Sequence, residues 1–243
     1  MSGAEGVFKE AASKVQGALN FSPLDHVEAM GCETWSVGDC SGTIAGFKGD
    51  KVDWASECTV SAADGSTKHS MNAWVMPMYD VPHLSVAVSQ GPAGLSVELD
   101  YIAKDDLMAP GDYLDRFYGI EVTALRDTLA SLPSASPLPE AVDVKGRVLA
   151  SPARCAVTLP DSEESLGKVE SAVGEVVDRW LGWLEEAAEI PRVRRGTMLG
   201  RDSQIRRLFW AHMSADPALG ERGPELAAAI AGPGDQGYTG QAS

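Results

Sequence analysis

The chain has 243 residues, 44% hydrophobic and 23% charged, and its 20 basic against 35 acidic residues give a formal net charge of −15. That length suits one large domain or two small ones with a substantial buried core. The acidic balance excludes non-specific nucleic-acid binding, which needs a basic surface to neutralise phosphates.

No run of about 18 apolar residues occurs, so no transmembrane segment is predicted. The start, MSGAEGVFKEAASK, has neither an apolar signal core nor an arginine-rich transit pattern. The expectation is a protein that acts where it is made, or one whose targeting segment is missing from this chain. Cys32, Cys40, Cys58 and Cys155 show no CxxC or Cys/His ligand spacing, and free thiols in a reducing compartment are expected.

Two short helical patterns open the chain, around Gly6–Leu19 and Pro23–Met30. From Thr34 to Tyr101 short alternating segments are punctuated by GDCSG, GFKGD, ADGS and QGPAG. These turn signals predict up to six strands joined mostly by hairpins, hence an antiparallel sheet. A loop rich in carboxylates and tyrosines, KDDLMAPGDYLDRFY, follows. SLPSASPLP, from Ser131 to Pro139, is too proline-rich for a helix or central strand and reads as a connecting loop or a weak subdomain boundary. A further strand is expected near Arg147–Leu159.

The clearest helix starts at Ser162, an N-cap followed by Glu163 and Glu164 in the first turn. Its stripe, Leu166, Val169, Val173, Val176, Trp180 and Leu184, reads as core packing. Around Trp180 and Trp183 it also leaves a surface on which a homodimer could form. Two more helices are expected near Gln204–Met213 and Pro224–Ala231. Residues 1–231 then form a single domain, and 232–243 a disordered tail. Strands followed by helices exclude a doubly wound parallel sheet. The predicted fold is α/β of the α+β type, an α/β/α sandwich with a central antiparallel sheet flanked by helices.

Within Pro82–Ser89 and Gly94–Ile102, apolar and polar residues alternate. Alignment of like faces places His83, Ser85, Ala87, Ser96, Glu98 and Asp100 on one side of the sheet. A wet sheet surface gives the same pattern, but this face carries small residues, acids and a histidine rather than lysine, threonine or arginine. A few convergent polar groups among small residues is the usual form of a ligand pocket.

The segments YDVPHLSVAVSQ, GLSVELDYIAKDDLMAPGDYLDRFY, ALRDTLASLP, Ser151–Pro152 and RDSQIRRLF stand in the order and spacing of the red chlorophyll catabolite reductase family. The chain resembles that family, a relative of the ferredoxin-dependent bilin reductases, from roughly Cys58 to Leu226. The resemblance implies an open-chain tetrapyrrole held between the sheet and the C-terminal helices. It implies electrons from reduced ferredoxin as an external donor, coupled to proton transfers, with no bound flavin, nicotinamide or metal. Consistent with this, no GxGxxG opens a βαβ unit and the four histidines lack metal spacing. In a eukaryote the resemblance places such a protein in the plastid stroma, and otherwise in the cytoplasm.

Carried over residue by residue, Asp202 falls where the family places a catalytic or substrate-contacting aspartate; the plainer reading is the N-cap of the following helix, and the two are compatible. Asn72 lies where bilin reductases place a histidine or asparagine beside the pigment. Ser151 falls at the family's pocket serine, or is a turn residue before proline. Ser85 contributes to the polar face. Arg201 and Arg206, in the basic stretch Arg192–Arg207, are candidates for the pigment's propionates or for ferredoxin's acidic surface; the plainer reading is a solvated basic loop.

The chain departs from the family pattern at Ala87, where an acid is expected. Glu98 lies on the same face, about one diagonal step away at roughly 7–8 Å, and is a candidate replacement acid. Burial against a pigment is expected to raise its pKa. His83, beside it, could shuttle protons or be a structural histidine. The expected activity is therefore a ferredoxin-dependent tetrapyrrole reductase with Asp202 as donor, assisted by Glu98 and His83. The alternative is a non-catalytic tetrapyrrole-binding protein that lost its sheet-side acid.

Overall fold

The computed structural model describes residues 3–108, 111–132, 134–138 and 143–232. Helix α1 (Ala4–Ala18) buries Ala4, Val7, Phe8, Ala11, Ala12 and Val15 on one stripe, the spacing that turns a single helical face to a core. A two-residue strand β1 (Ser22–Pro23) and a short helix α2 (His26–Ala29) lead into six strands. These are β2 (Thr34–Val37), β3 (Cys40–Gly49), β4 (Val52–Ala62), β5 (Thr67–Val75), β6 (His83–Gly91) and β7 (Gly94–Ile102). The six strands expected in this region are all present. Next come α3 (Tyr113–Tyr118), α4 (Ile120–Ala130), β8 (Ser136–Pro137), α5 (Val144–Leu149), β9 (Cys155–Leu159), α6 (Glu163–Glu186) and α7 (Arg192–Met213). A 3-10 turn, Pro217–Arg222, and α8 (Gly223–Ala231) complete the described chain.

Among the described residues nine strands form one sheet in the order β1-β3-β4-β5-β6-β7-β9-β8, with β2 also on β3. Every pairing is antiparallel. One face carries Met71, Ala73, Leu84, Val86, Val88, Val97 and Leu99 into a core shared with α1 and α6. The other carries Ile44, Trp54 and Trp74 against Phe209 of α7 and Leu226 and Ile230 of α8. This is the α/β/α sandwich with a central antiparallel sheet that the alternation predicts.

Helix α6 begins as expected, with Ser162 Oγ accepting the Ser165 N–H at 3.1 Å. Its tryptophans do not form a free surface. Trp180 is fully buried and donates its indole N–H to the Pro82 carbonyl at 2.9 Å. Trp183 packs edge-on against Tyr101 and Phe117, with ring centroids 4.7 and 5.0 Å away. Of the surface invoked for a homodimer, Trp180 is taken up inside the subunit and Trp183 is partly buried.

Several boundaries differ from expectation. The tyrosine-rich loop folds into α3, because Tyr113, Phe117 and Tyr118 find a shared core. In the proline-rich connection, Ser136 and Pro137 pair with Thr158 and Val157 of β9; at a sheet edge a proline costs no ladder bond. The strand expected from Arg147 is confined to Cys155–Leu159. Residues up to Leu149 are helical, capped by the Asp143 carboxylate, which accepts the Gly146 N–H at 2.9 Å. Helix α7 starts at Arg192 rather than Gln204, so the basic stretch is helical and Asp202 lies in a helix interior rather than at an N-cap. Of the expected tail only Gly232 is among the described residues.

The β6–β7 hairpin turns on Pro92 and Ala93, with Gly91 opposite Gly94. Gly94 has φ +115°, and a Cβ there would lie 2.3 Å from the Leu159 carbonyl oxygen of β9. Gly94→Ala is therefore expected to destabilise the fold by at least ~1–3 kcal/mol, read as a lower urea midpoint. An unchanged midpoint would contradict this account of the turn.

Candidate active site on the polar face of the sheet

The registers of β4, β5, β6, β7 and β9 arrange the polar face in rungs across the strands. One rung is Ser56–Asn72–Ser85–Asp100. The next is Cys58–Ser70–Ala87–Glu98–Ala156, and the third includes Lys68, Ser89, Ser96 and Thr158. Ala87 thus faces Glu98 directly rather than diagonally, since the two-residue turn shortens the hairpin.

Over these rungs lies a cavity of about 690 Å³, within the range of small-molecule sites. Its floor is Lys68, Ser70, Asn72, Ser85, Ala87, Glu98 and Asp100. Its roof comes from Arg147, Leu149 and Ala150, the Ser151–Arg154 turn, and Phe209, His212 and Met213 of α7. The roof is tied across by His212 Nδ1 at 2.6 Å from Asp143 Oδ2, which joins α7 to the start of α5. Among the described residues, no group of three His, Cys, Asp or Glu side chains could hold a metal ion, and no helix is long and apolar enough to cross a membrane.

Of the residues singled out in the sequence, Asn72, Ser85, Ala87, Glu98 and Ser151 all border this cavity. Ser85 Oγ donates to Asn72 Oδ1 at 3.0 Å, which fixes the amide's orientation. Glu98 bridges Lys68 and Arg154, each at 3.2 Å. Burial works to raise its pKa, but the two cations outweigh it and hold the carboxyl below its ordinary value. Lys68 and Arg154 thus oppose the rise expected for Glu98 on burial against a pigment.

Asp100, on the polar face but given no role by sequence reasoning, behaves oppositely. Burial pushes it up to about 6, against the stabilising donors of Ser151. Ser151 Oγ donates to Asp100 Oδ1 at 2.5 Å and its N–H to Oδ2 at 3.2 Å. The Ser151 hydroxyl in turn accepts the Ala153 N–H at 3.0 Å.

Asp202, His83 and Arg206 are brought together, but elsewhere. None is among the described residues lining the cavity, and all three are fully buried. His83 Nε2 stands 2.8 Å from Asp202 Oδ1, a close contact that is not a well-aligned hydrogen bond. His83 Nδ1 accepts the Val75 N–H at 2.9 Å, so its proton sits on Nε2, facing the aspartate. Arg206 Nε lies 3.3 Å from Asp202 Oδ2, and Arg206 also pairs with Asp53.

Lys104, unremarked in the sequence, completes the group. It is buried, with Nζ 3.9 Å from Asp202 Oδ1. It donates to the Val75, Met76 and Tyr79 carbonyls at 2.7, 2.8 and 3.1 Å. Burial would favour neutral Asp202, yet His83, Lys104 and Arg206 hold it well below the carboxylate range. Burial drives His83 down, which keeps it neutral despite Asp202. Arg201 sits outside both groups, 3.9 Å from Asp105 and Asp106.

Lys104 opens the KDDLMAPGDYLDRFY segment, but nothing in its spacing tells a buried lysine from an exposed one. Asp100 could have been found, because its place in the alternation already put it on the polar face.

A family model described as red chlorophyll catabolite reductase (RCC reductase) matches residues 58–210, more than half of the chain. The chain belongs to the red chlorophyll catabolite reductase family. Among solved structures it is similar to phytochromobilin synthase from tomato, determined in complex with biliverdin. The TM-score is 0.75 at 16% identity, covering 98% of this chain and 84% of that one, which shows a shared fold. No curated protein sequence matches the chain significantly. Family and fold together support reduction of a linear tetrapyrrole as the kind of function.

Two outcomes test the buried cluster. Asp202→Ala leaves Asp53 as the one carboxylate of the group facing Lys104 and Arg206 and should cost about 3–5 kcal/mol in urea unfolding; a loss below 1 kcal/mol would contradict the anchoring role. His83 carries a folded pKa of about 4 against an ordinary 6.5, so between these values the unfolded chain binds more protons and stability rises with pH. His83→Gln removes that contribution. The wild-type advantage over the variant should therefore grow from about pH 4 to 6.5, and a constant difference would contradict the assignment.

Proposed function

We propose that the protein reduces a linear tetrapyrrole, red chlorophyll catabolite or a related bilin, with electrons from reduced ferredoxin and protons delivered in the cavity over β5, β6 and β7. The observation that carries this reading is the cavity, which puts hydrogen-bonding, acidic and basic groups around one space in a member of this family. Asn72 and Ser85 lie where pyrrole nitrogens or lactam oxygens would meet the floor, and Phe209 offers an apolar surface from the roof. In a chain of net charge −15, Lys68, Arg147 and Arg154 converge on this one cavity. Lysine has three donors and arginine five, so Lys68 and Arg154 can hold Glu98 and still receive a substrate carboxylate.

Glu98 then acts as the counter-ion that keeps Lys68 and Arg154 at the cavity wall. Asp202 acts as the anionic anchor of α7 over the sheet, because a carboxylate held ionised is a poor proton donor. The outward-facing Arg192, Arg194 and Arg207 on the same helix offer a basic surface to an acidic electron carrier.

A second reading is favoured by one observation: Ala87, on the floor, supplies no proton. On that reading the chain binds the pigment without reducing it.

The two separate under anaerobic conditions with reduced ferredoxin and biliverdin or red chlorophyll catabolite in turn. Pigment binding followed by loss of its long-wavelength absorption supports the reductase. Binding with no spectral change on reduction supports the carrier, and no binding of either pigment overturns both. Replacing Lys68 and Arg154 together by alanine should weaken biliverdin binding roughly 10- to 100-fold, as charged hydrogen bonds are lost. It should barely affect the dimethyl ester. Equal loss for acid and ester would remove these cations from carboxylate binding.

A further inference from the structure

Reduction of a linear tetrapyrrole requires a proton for each electron, and the cavity wall at Ala87 offers none. Among the described residues, the acids that border the cavity are Glu98, Asp100 and Asp216. Glu98 is committed to two cations. Asp100 lies one rung away, between Ser85 on β6 and the Ser151 turn. Both of its oxygens are met by Ser151, whose hydroxyl and N–H are aimed at a carboxylate rather than at a substrate.

Resting on the reductase reading above, we propose that Asp100 is the proton-donating acid of this cavity and that Ser151 is its positioning residue. One electron from the reduced iron–sulfur carrier converts the bound pigment to its radical anion. The Asp100 O–H bond then breaks as a new C–H or N–H bond forms on the pigment. The resulting carboxylate is stabilised where it stands by the two Ser151 donors, and a proton taken up from bulk solvent restores its O–H bond before the second electron arrives. Two electrons and two protons are consumed per double bond reduced.

The charges around Asp100 are consistent with this cycle. Arg154 draws its pKa down, while burial, the larger influence, holds it near 6. Glu98 and Lys68 neutralise each other along the floor, and Arg147, His212 and Asp216 border the cavity from the roof side. Tyr118 approaches from behind the sheet with its hydroxyl donated to the Tyr101 carbonyl at 2.6 Å. The pigment's ring system, lying against Asp100, displaces much of the water beside it and raises the Asp100 pKa further, toward the range in which a general acid works at neutral pH. Ala87 on the neighbouring rung leaves space beside Asp100 that a larger acid at that position would occupy.

The test compares the full-length wild type with D100N and S151A. D100N should keep biliverdin binding and the bound-pigment spectrum, while the single-turnover rate falls by about 10²-fold or more. The wild-type rate should fall as pH rises past the Asp100 pKa, a limb absent from D100N. S151A removes the hydroxyl donor from the carboxylate, leaving the backbone N–H, and should move that limb to higher pH. Infrared difference spectra on adding biliverdin without reductant give a readout independent of turnover. A protonated-carboxyl band present in wild type and missing in D100N is expected. A D100N enzyme with the wild-type rate and pH limb, or a wild type with no such band near neutral pH, would overturn the proposal. A wild type that shows the band but reduces neither pigment would instead overturn the reductase reading and leave Asp100 as a protonated binding group.

Discussion

Asp202 and Arg206, one turn apart on α7, meet His83 and Lys104 of the sheet layer in a fully buried group, which Arg206 ties to the partly exposed Asp53 of β4, and the position of the cavity roof follows from that contact. The next two turns of α7 carry Phe209, His212 and Met213 over the polar rungs. A shift of α7 along its axis would separate the ion pairs and move those three side chains together. The group contains two cations and two carboxylates around a neutral histidine, so its charges balance. Unpaired, any one of them would be prohibitively costly in this position.

The same group fixes the start of β6 and the loop before it. Lys104 gathers three carbonyls from Val75 to Tyr79, and Trp180 holds the Pro82 carbonyl from the opposite layer. With the loop pinned from both sides, β6 enters the sheet in the register that sets Ser85 between Asn72 and Asp100. Charge burial thus orders the scaffold, and the cavity beside it is left with groups whose pKa values diverge. Glu98 is held ionised by its cations and Asp100 is pushed toward neutrality by burial. Two carboxylates two residues apart on one strand are thereby separated into a fixed charge and an acid.

The polar face was legible in the sequence because strand alternation has a period of two and leaves little freedom once one face is apolar. Asn72, Ser85, Glu98 and Ser151 were found in that way or through family resemblance, and all border the cavity. The first half of α7 was not legible. Its buried stripe is Met198, Asp202, Arg206 and Phe209, helical in spacing but half charged, so hydrophobic periodicity passes over it. The separation of Asp202 from the cavity was equally hidden, since its partners outside α7 lie on β6 and just past the end of β7. The roles of Glu98 and Asp100 could not be told apart by alternation alone. They depend on Arg154 and Ser151, which reach the sheet from a turn more than fifty residues along the chain.

The central claim is that the pigment lies on the polar face, between the Asn72–Ser85–Asp100 rung and the roof of α5 and α7. A crystal structure of the protein with biliverdin tests it most directly. The account predicts the tetrapyrrole in contact with Ser85, Asp100 and Phe209, with the Asp202–Arg206–Lys104 group intact behind it. Pigment bound outside this cavity, or seated against Asp202 with that group broken apart, would contradict it.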